Sequence, residues 1–179
     1  EFVDPDESYH GTVYTRDFPA APYSVKLRVQ WIRDLGSGMA PFNAFLSMMG
    51  AETLHVRMDR HCSNALTLAK HLQQHPKVGW VNYPGLPDNR EYALARKYLK
   101  GCSGVFCFGV KGGVAAGERV MNSLDLRTCV LHPASMTHRQ LSESELIAAG
   151  VSPDMIRVSV GLEHIDDLIA DFDQALAQA

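Results

Sequence analysis

One arginine near the C-terminus stands in an otherwise apolar run, Met155-Ile156-Arg157-Val158-Ser159-Val160. The alternation of Ile156, Val158 and Val160 with other residues predicts a strand with one buried face. An unpaired guanidinium is costly to bury, and its planar fork suits a carboxylate. Arg157 must therefore be paired or face a cleft, and it is the best candidate in this sequence for binding an anionic substrate. The alternative is a structural arginine that pairs with Glu163 or another carboxylate.

A second polar run, His132-Pro133-Ala134-Ser135-Met136-Thr137-His138, precedes that strand. By itself it is typical of a proline-containing loop whose hydroxyl groups bond their own backbone. Neither His132 nor His138 has a serine or cysteine partner arranged as in a hydrolase site. Ser135 and Thr137 become candidates for binding only if this loop borders a substrate pocket.

The sequence contains four cysteines, Cys62, Cys102, Cys107 and Cys129. They are too sparse for a disulfide scaffold in a chain of this length. A zinc site would join Cys102, Cys107 and Cys129 with His132 and His138, but none of these ligand pairs has the compact spacing of a zinc finger. We therefore expect reduced, mostly buried thiols and no metal site.

Composition restricts the class of protein. With 179 residues and 46% hydrophobic content, the chain can bury the core of one domain and carry an appended segment. The formal charge of −3 and the absence of a basic stripe argue against a nucleic-acid or anionic-membrane partner. The sequence has neither a secretory leader nor an apolar run long enough to span a membrane, so we expect a cytoplasmic protein.

The elements that must position these residues alternate along the chain. Residues 1–22 are irregular because Pro5, Gly11, Pro19 and Pro22 interrupt any period. Beyond them, apolar periodicity and turn signals predict helices and strands in alternation, which indicates a sheet covered by helices. Helices are expected at 23–35, 42–49, 58–73, 89–99, 114–124 and 165–176, and strands at 78–83, 104–110, 128–131 and 156–160. Ser142 and Glu145 form a capping-box pattern for a further short helix that ends at Gly150.

A glycine-rich run, Lys111-Gly112-Gly113-Val114-Ala115-Ala116-Gly117, could suggest a phosphate-binding loop. Its spacing fits neither the P-loop nor the dinucleotide-binding fingerprint. A tight turn from strand into helix is therefore the better interpretation.

Ordered motifs along nearly the whole chain resemble the pyridoxal-phosphate enzymes of cysteine and methionine metabolism, and among them the O-acetylhomoserine sulfhydrylases. Besides the two runs above, they are Ser8-Tyr9-His10-Gly11, Ser37-Gly38-Met39-Ala40-Pro41-Phe42-Asn43-Ala44-Phe45, Met58-Asp59-Arg60-His61-Cys62 and Trp80-Val81-Asn82-Tyr83-Pro84-Gly85-Leu86. The resemblance implies an α/β fold, the small C-terminal domain of a fold-type I pyridoxal-phosphate enzyme. Its sheet would be mixed and mostly antiparallel, with helices on one side. Residues 1–51 would be the tail of the large cofactor-binding domain with linking helices, and residues 52–179 the small domain.

The resemblance also implies an activity. In the intact protein, sulfide or a thiol would replace the acetoxy group of O-acetylhomoserine, with pyridoxal phosphate as electron sink. Arg157 would bind the α-carboxylate of the substrate, and Ser135 and Thr137 would line its pocket. A γ-lyase or a cystathionine γ-synthase is the close alternative, because both share these parts. Relatives assemble as dimers of dimers, so we expect a homo-oligomer.

Two parts expected of such an enzyme do not occur in this sequence. The cofactor lysine of the family lies in a serine-rich and glycine-rich motif that is not found here, so this segment alone should be inactive. Lys26 is no substitute, because its helical neighbours Val25, Val29 and Ile32 leave it on the wetter flank. Relatives also have a further stretch of about ten residues between those matching Leu126 and Arg127. Either it is deleted here, which would remove part of the active site, or a mobile loop is omitted from the sequence, and we favour omission. The missing lysine leaves one alternative of another class, a non-catalytic assembly domain.

Overall fold

The computed structural model describes residues 2–125, 127–136 and 140–179. The chain forms two compact units, Glu1–Glu52 and Thr53–Ala179. No helix in these described ranges is long and apolar enough to cross a membrane. Assignment of the first unit to a larger cofactor-binding domain stays a prediction.

The first unit is built from short helical segments joined by turns. They are a 3-10 turn at Glu7–Tyr9, α1 (Tyr14–Asp17), α2 (Pro22–Lys26), a π-helical segment at Leu27–Ile32, α3 (Arg33–Leu35) and α4 (Pro41–Glu52). Tyr14 is fully buried in this unit. Helix α4 buries none of its residues, although its apolar side chains include Phe42, Phe45 and Leu46.

The prediction that Lys26 is a solvated helix lysine is wrong. Its side chain is only 6% exposed, and its ammonium group lies 2.8 Å from the Asp6 carboxylate. Asp6 also accepts hydrogen bonds from the amide and hydroxyl of Ser8, and the Ser8 hydroxyl accepts one from Gln30. The irregular segment before α1 folds back over α2, and this long-range contact is invisible to helical periodicity.

The second unit alternates helices with strands. Its elements are α5 (Leu54–Gln74), β1 (Val78–Asn82), α6 (Tyr92–Tyr98), β2 (Val105–Val110), α7 (Gly113–Ser123), β3 (Cys129–Leu131), α8 (Glu143–Ala148), β4 (Met155–Ser159) and α9 (Ile165–Ala177). Within the described residues the strands form one sheet in the order β1-β2-β4-β3, and each neighbouring pair is antiparallel. The predicted α/β fold, an antiparallel sheet with helices, is confirmed.

The core lies between one face of this sheet and helices α5, α7 and α9. Phe106 and Phe108 of β2 and Ile156 and Val158 of β4 point into it, as alternation predicts. The Phe108 ring meets Phe172 of α9 edge to face, with 6.1 Å between the ring centroids. Alternate residues of the same strands consequently lie on the opposite face.

Two local predictions about turns and caps are confirmed. Gly112 and Gly113 both have positive φ angles, 108° and 68°, so the glycine-rich run is a tight turn into α7. At the start of α8, the Glu145 carboxylate accepts hydrogen bonds from the amide and hydroxyl of Ser142, at 2.8 and 2.6 Å.

Candidate substrate-binding site

Arg157 lies on the face of the sheet opposite the core. Ile156 and Val158 on either side of it are fully buried, whereas Arg157 is exposed. Its cross-strand partners are Cys107 on β2 and Leu131 on β3. Among the described residues, no carboxylate forms an ion pair with it. Its guanidinium fork is thus available to a ligand.

The alternative partner Glu163 binds elsewhere. Its carboxylate accepts hydrogen bonds from the amide of Thr128 at 2.6 Å and from the hydroxyl of Thr128 at 3.1 Å. The same hydroxyl accepts a hydrogen bond from the amide of Gly161 at 2.9 Å. Glu163 therefore fixes the segment after β4 against the start of β3 and is not a counter-ion of Arg157.

Helix α5 fixes the same segment from the other side. His61 Nδ1 donates to the carbonyl of Val160 at 2.6 Å. The Asn64 amide donates to the carbonyls of Gly161 and Glu163, at 3.1 and 2.9 Å. Asn64 is almost completely buried. These contacts hold the C-terminal end of the Arg157 strand in a defined position, which a bidentate clamp needs.

The loop that begins at His132 is built around that buried imidazole. His132 is 0% exposed, and its Nε2 donates to the carbonyl of Pro153 at 2.7 Å. Its Nδ1 then accepts from the Ser135 hydroxyl at 2.9 Å and from the Ser135 amide at 3.3 Å. The amide of Met136 closes the turn on the carbonyl of His132 at 3.1 Å.

The sequence predicts no serine partner of His132 arranged as in a hydrolase site, and the Ser135 hydroxyl bonds the ring in a different arrangement. The turn brings Ser135 back onto the ring, which linear spacing did not reveal. It does not create a hydrolase site, because the Nε2 proton is committed to the Pro153 carbonyl and the imidazole is buried. The arrangement instead fixes the direction of the Ser135 hydroxyl.

Sheet topology places this loop beside Arg157. Leu131, the residue before the loop, is the cross-strand partner of Arg157. Ser135 is half-buried and lines a cavity of about 360 Å³ together with Val114, Leu146 and Pro153. Thr137 and His138, predicted in the same run, lie outside the described residues.

Sequence reasoning overlooked Trp80, which shares the open face. Trp80 Nε1 donates to the Asp154 carboxylate at 2.9 Å. The indole lies over Gly109, where a Cβ would collide with both Trp80 and Asp154. A glycine inside the apolar strand run was the available signal, because such glycines often mark close approach of another group.

The cysteine thiols are more exposed than expected. All four cysteines are free, but Cys129 is exposed and Cys62, Cys102 and Cys107 are half-buried. Burial raises the pKa of the Cys107 thiol, and the neighbouring charge of Arg157 opposes that rise. Because a neutral thiol carries no negative charge, Cys107 does not compete with an anionic ligand for the Arg157 guanidinium. No group of three metal-ligating side chains occurs among the residues that the structure describes.

Comparison with known proteins shows what this chain is similar to. The family model described as "Cys/Met metabolism PLP-dependent enzyme" matches residues 8–177. The homocysteine synthase of Schizosaccharomyces pombe is 48% identical over 190 positions, covering 100% of this chain and 44% of its own length. The L-methionine gamma-lyase of Pseudomonas deceptionensis is 44% identical and covers 93% of this chain and 43% of its own length.

A solved structure matches the fold as well. It is a putative O-acetylhomoserine (thiol)-lyase from Campylobacter jejuni containing N'-pyridoxyl-lysine-5'-monophosphate. The TM-score is 0.87 at 41% identity, with 98% of this chain and 44% of that chain covered. The chain spans less than half the length of these relatives. The alignment with the S. pombe protein runs over 190 positions, whereas this chain has 179 residues. The S. pombe protein therefore has at least 11 residues within the alignment that this chain lacks.

Proposed function

The chain belongs to the Cys/Met metabolism PLP-dependent enzyme family, and we propose that the protein containing it is an O-acetylhomoserine sulfhydrylase. In this reaction sulfide or a thiol replaces the acetoxy group of O-acetylhomoserine, giving homocysteine or methionine. The single observation that carries the proposal is Arg157, an exposed guanidinium without a described counter-ion on a strand anchored at its end.

Arg157 performs the binding step. Its two parallel N–H donors bind both oxygens of the substrate α-carboxylate, and a carboxylate held in this way can rotate little. Orientation of that group determines which bond at the substrate Cα is presented for reaction, so the clamp acts on rate as well as affinity. The anchoring contacts from His61 and Asn64 keep this orientation reproducible.

Ser135 forms part of the pocket wall. His132 holds its hydroxyl, and its loop follows directly after Leu131, the cross-strand partner of Arg157. Thr137, two residues further along, is proposed as a second lining residue from the family resemblance. Neither residue transfers a proton in this proposal.

Pyridoxal phosphate supplies the electron sink when bound. The buried lysine of the first unit does not suit a cofactor bond, because the Lys26 ammonium is engaged by Asp6 at 2.8 Å. We therefore propose that the cofactor is held mainly by the large domain of the family. On its own, this segment would be inactive.

A γ-lyase or cystathionine γ-synthase is the second candidate. The matching L-methionine gamma-lyase is almost as similar in sequence as the homocysteine synthase, at 44% against 48% identity. The arginine clamp and the pocket wall serve these reactions equally well. The reactions differ in the acceptor of the activated carbon chain, and substrate assays distinguish them.

A non-catalytic assembly domain is the candidate of another class. Helix α4 argues against it, because Phe42, Phe45 and Met48 are all more than half exposed. Such a contiguous apolar surface is normally covered by another part of the protein or a partner subunit. We propose that it is covered in a cytoplasmic homo-oligomer, a dimer of dimers.

The denatured mass of the purified natural protein is the first test. A mass well above 19.8 kDa calls for assays of the full-length enzyme with O-acetylhomoserine and sulfide. Homocysteine and acetate are the expected products. Release of a 2-oxo acid from methionine without an added thiol would favour the γ-lyase instead. A mass equal to 19.8 kDa would favour the assembly domain.

A further inference from the structure

A second cavity, remote from the open face of the sheet, lies beside helices α5 and α6 on the side of the core. Its volume is about 360 Å³, it is partly open to solvent, and all of its lining residues belong to the second unit. Residues from α5, from the loop after β1, from α6 and from the turn before β2 line it. The lining includes Cys62, Leu66, Lys70, Tyr83, Arg96 and Lys100. None of these residues takes part in the proposed reaction.

One residue of the cavity lining has a buried polar group without a partner. Tyr83 is 0% exposed, and its hydroxyl has no hydrogen-bond partner among the described residues. Burial raises the pKa of this phenol, so it stays a protonated donor at neutral pH. An unpaired buried hydroxyl costs free energy, and a structure that keeps one calls for an explanation.

Packing fixes the phenol ring in place. A Cβ on Gly85 would lie only 2.5 Å from Tyr83 Cε1, so the ring rests directly on the Gly85 backbone. On another side the ring meets Phe106 edge to face at 5.8 Å between centroids. These two contacts therefore hold the ring, and with it the hydroxyl, in a defined position.

The charged residues of the lining all carry the same sign. Lys70, Arg96 and Lys100 line the cavity, and no acidic residue is among its described lining. In the described part of the chain, none of the three forms an ion pair. Leu66, Ala95 and Leu99 provide apolar surface between them. Cations around an apolar cavity with one buried donor attract an anion that carries an apolar body.

We propose that this cavity binds a small organic anion. A carboxylate or phosphate oxygen accepts the hydrogen bond of Tyr83 and is neutralised by Lys70, Arg96 and Lys100, while the apolar part contacts Leu66 and Leu99. The site is separate from the proposed reaction, so it can be present whether or not the protein is a sulfhydrylase.

The test uses the full-length protein with phenyl phosphate and benzoate as anionic probes and benzyl alcohol as their neutral analogue. Two thiols provide a local readout, since Cys62 and Cys102 line the cavity. Their alkylation by iodoacetamide is followed by peptide mass spectrometry. Cys129, which is exposed and does not line the cavity, reports any general effect. We expect at least one anion to slow alkylation of Cys62 and Cys102 only, and benzyl alcohol not to do so.

Variants make the assignment specific. Tyr83→Phe should raise the dissociation constant of the protecting anion about tenfold or more, because a hydrogen bond to a charged group is lost. The double variant with Arg96→Gln and Lys100→Gln should weaken binding of the anion as well. Lys97→Gln is the matched control, since Lys97 bears the same charge, lies over the ring of Tyr98 on the same helix and is not part of the cavity lining.

The melting temperature of the Tyr83→Phe variant shows whether the variant is correctly folded. The substitution removes a hydroxyl without a partner, so the melting temperature should stay equal or rise. Equal protection by benzyl alcohol would overturn the proposal, as would unchanged anion affinity in Tyr83→Phe or the absence of protection by both anions. Stronger protection by phenyl phosphate than by benzoate would assign a phosphate ligand, and the reverse a carboxylate.

Discussion

The Glu163 carboxylate is bound to Thr128, through the backbone amide at 2.6 Å and the hydroxyl at 3.1 Å. This contact joins the segment after β4 to the start of β3. It also engages a carboxylate that could otherwise pair with Arg157. A guanidinium on a strand whose neighbouring acid is engaged elsewhere is available to an external carboxylate.

The substitution Arg157→Lys in the full-length enzyme should raise KM strongly and lower kcat. Lysine provides a point charge in place of a bidentate fork, so the substrate carboxylate is misplaced and kcat/KM should fall about 100-fold. Steady-state kinetics with O-acetylhomoserine measures both constants. Arg90→Lys is the control, because Arg90 is exposed and forms a surface ion pair with Glu91. An unchanged kcat/KM for Arg157→Lys would refute the clamp.

The substitution Gly109→Ala should destabilise the protein by about 2 kcal/mol, because the new Cβ collides with Trp80 and Asp154 and breaks their hydrogen bond. Gly79→Ala on the neighbouring strand is the matched control. There the nearest atom to a new Cβ is 3.7 Å away, so stability should change by no more than about 0.5 kcal/mol. Urea unfolding of both variants measures the difference. Equal losses would contradict the close approach of Trp80 to Gly109.

The substitution His132→Phe should cost about 3 kcal/mol of unfolding free energy. It leaves the Pro153 carbonyl and the Ser135 hydroxyl without their partner in a closely packed loop. Ser135→Ala keeps the imidazole and its bond to Pro153, so it should cost only about 1 kcal/mol. Chemical denaturation distinguishes the two. If Ser135→Ala were the more damaging change, the imidazole would not be the organising group of the loop.

The ion pair of Asp6 with Lys26 should make the first unit sensitive to acid. Hydrogen bonds from Lys26 and Ser8 hold the pKa of the Asp6 carboxyl well below its usual value. A carboxyl whose pKa is lowered by folding stabilises the fold above the unfolded value of 3.8, and this contribution is lost as the pH falls through the folded value. Asp6→Asn should therefore lower stability at neutral pH and flatten its dependence on acid.

Unfolding followed between neutral pH and strong acid measures this effect of Asp6. The control is Asp34→Asn, which removes an exposed pair with Arg33 at 3.0 Å and should change little. A similar loss in both variants would mean that burial of the Lys26 pair is unimportant.

His75 should produce a different pH dependence, in the second unit. Burial lowers the pKa of its imidazole from 6.5, while the carboxylate of Asp173 opposes that shift. The unfolded state then binds the proton more readily than the folded state. Stability is complete above pH 6.5 and is lost as the pH falls below it, levelling off under the folded value.

The substitution His75→Asn tests this dependence. Asparagine retains an acceptor for the Lys77 amide, which now bonds His75 Nδ1 at 3.2 Å, but cannot take up a proton. The parent protein should lose stability relative to the variant between pH 7.5 and 5.5. A constant difference over that range would show that His75 titrates alike in both states.

Much of the second unit follows from local sequence pattern. Alternating apolar residues around Arg157 predict both the strand and the outward direction of that side chain, because neighbouring residues of a strand point to opposite faces. The capping box at Ser142 and the glycine turn into α7 are equally local. The family itself could be identified from motifs, because they occur in order along nearly the whole chain.

Tertiary structure alone decided which groups are partners. Lys26 looked solvated because helical period describes only its own helix, whereas Asp6 reaches it from 20 residues away. Glu163 could have paired with Arg157 by distance along the chain, but the strand order β1-β2-β4-β3 puts Thr128 beside it. The pairing of His132 with Ser135 and the unpaired hydroxyl of Tyr83 likewise depend on side chains packed from several elements. Sequence period determines the direction of a side chain, and only the packing of distant segments determines what it meets.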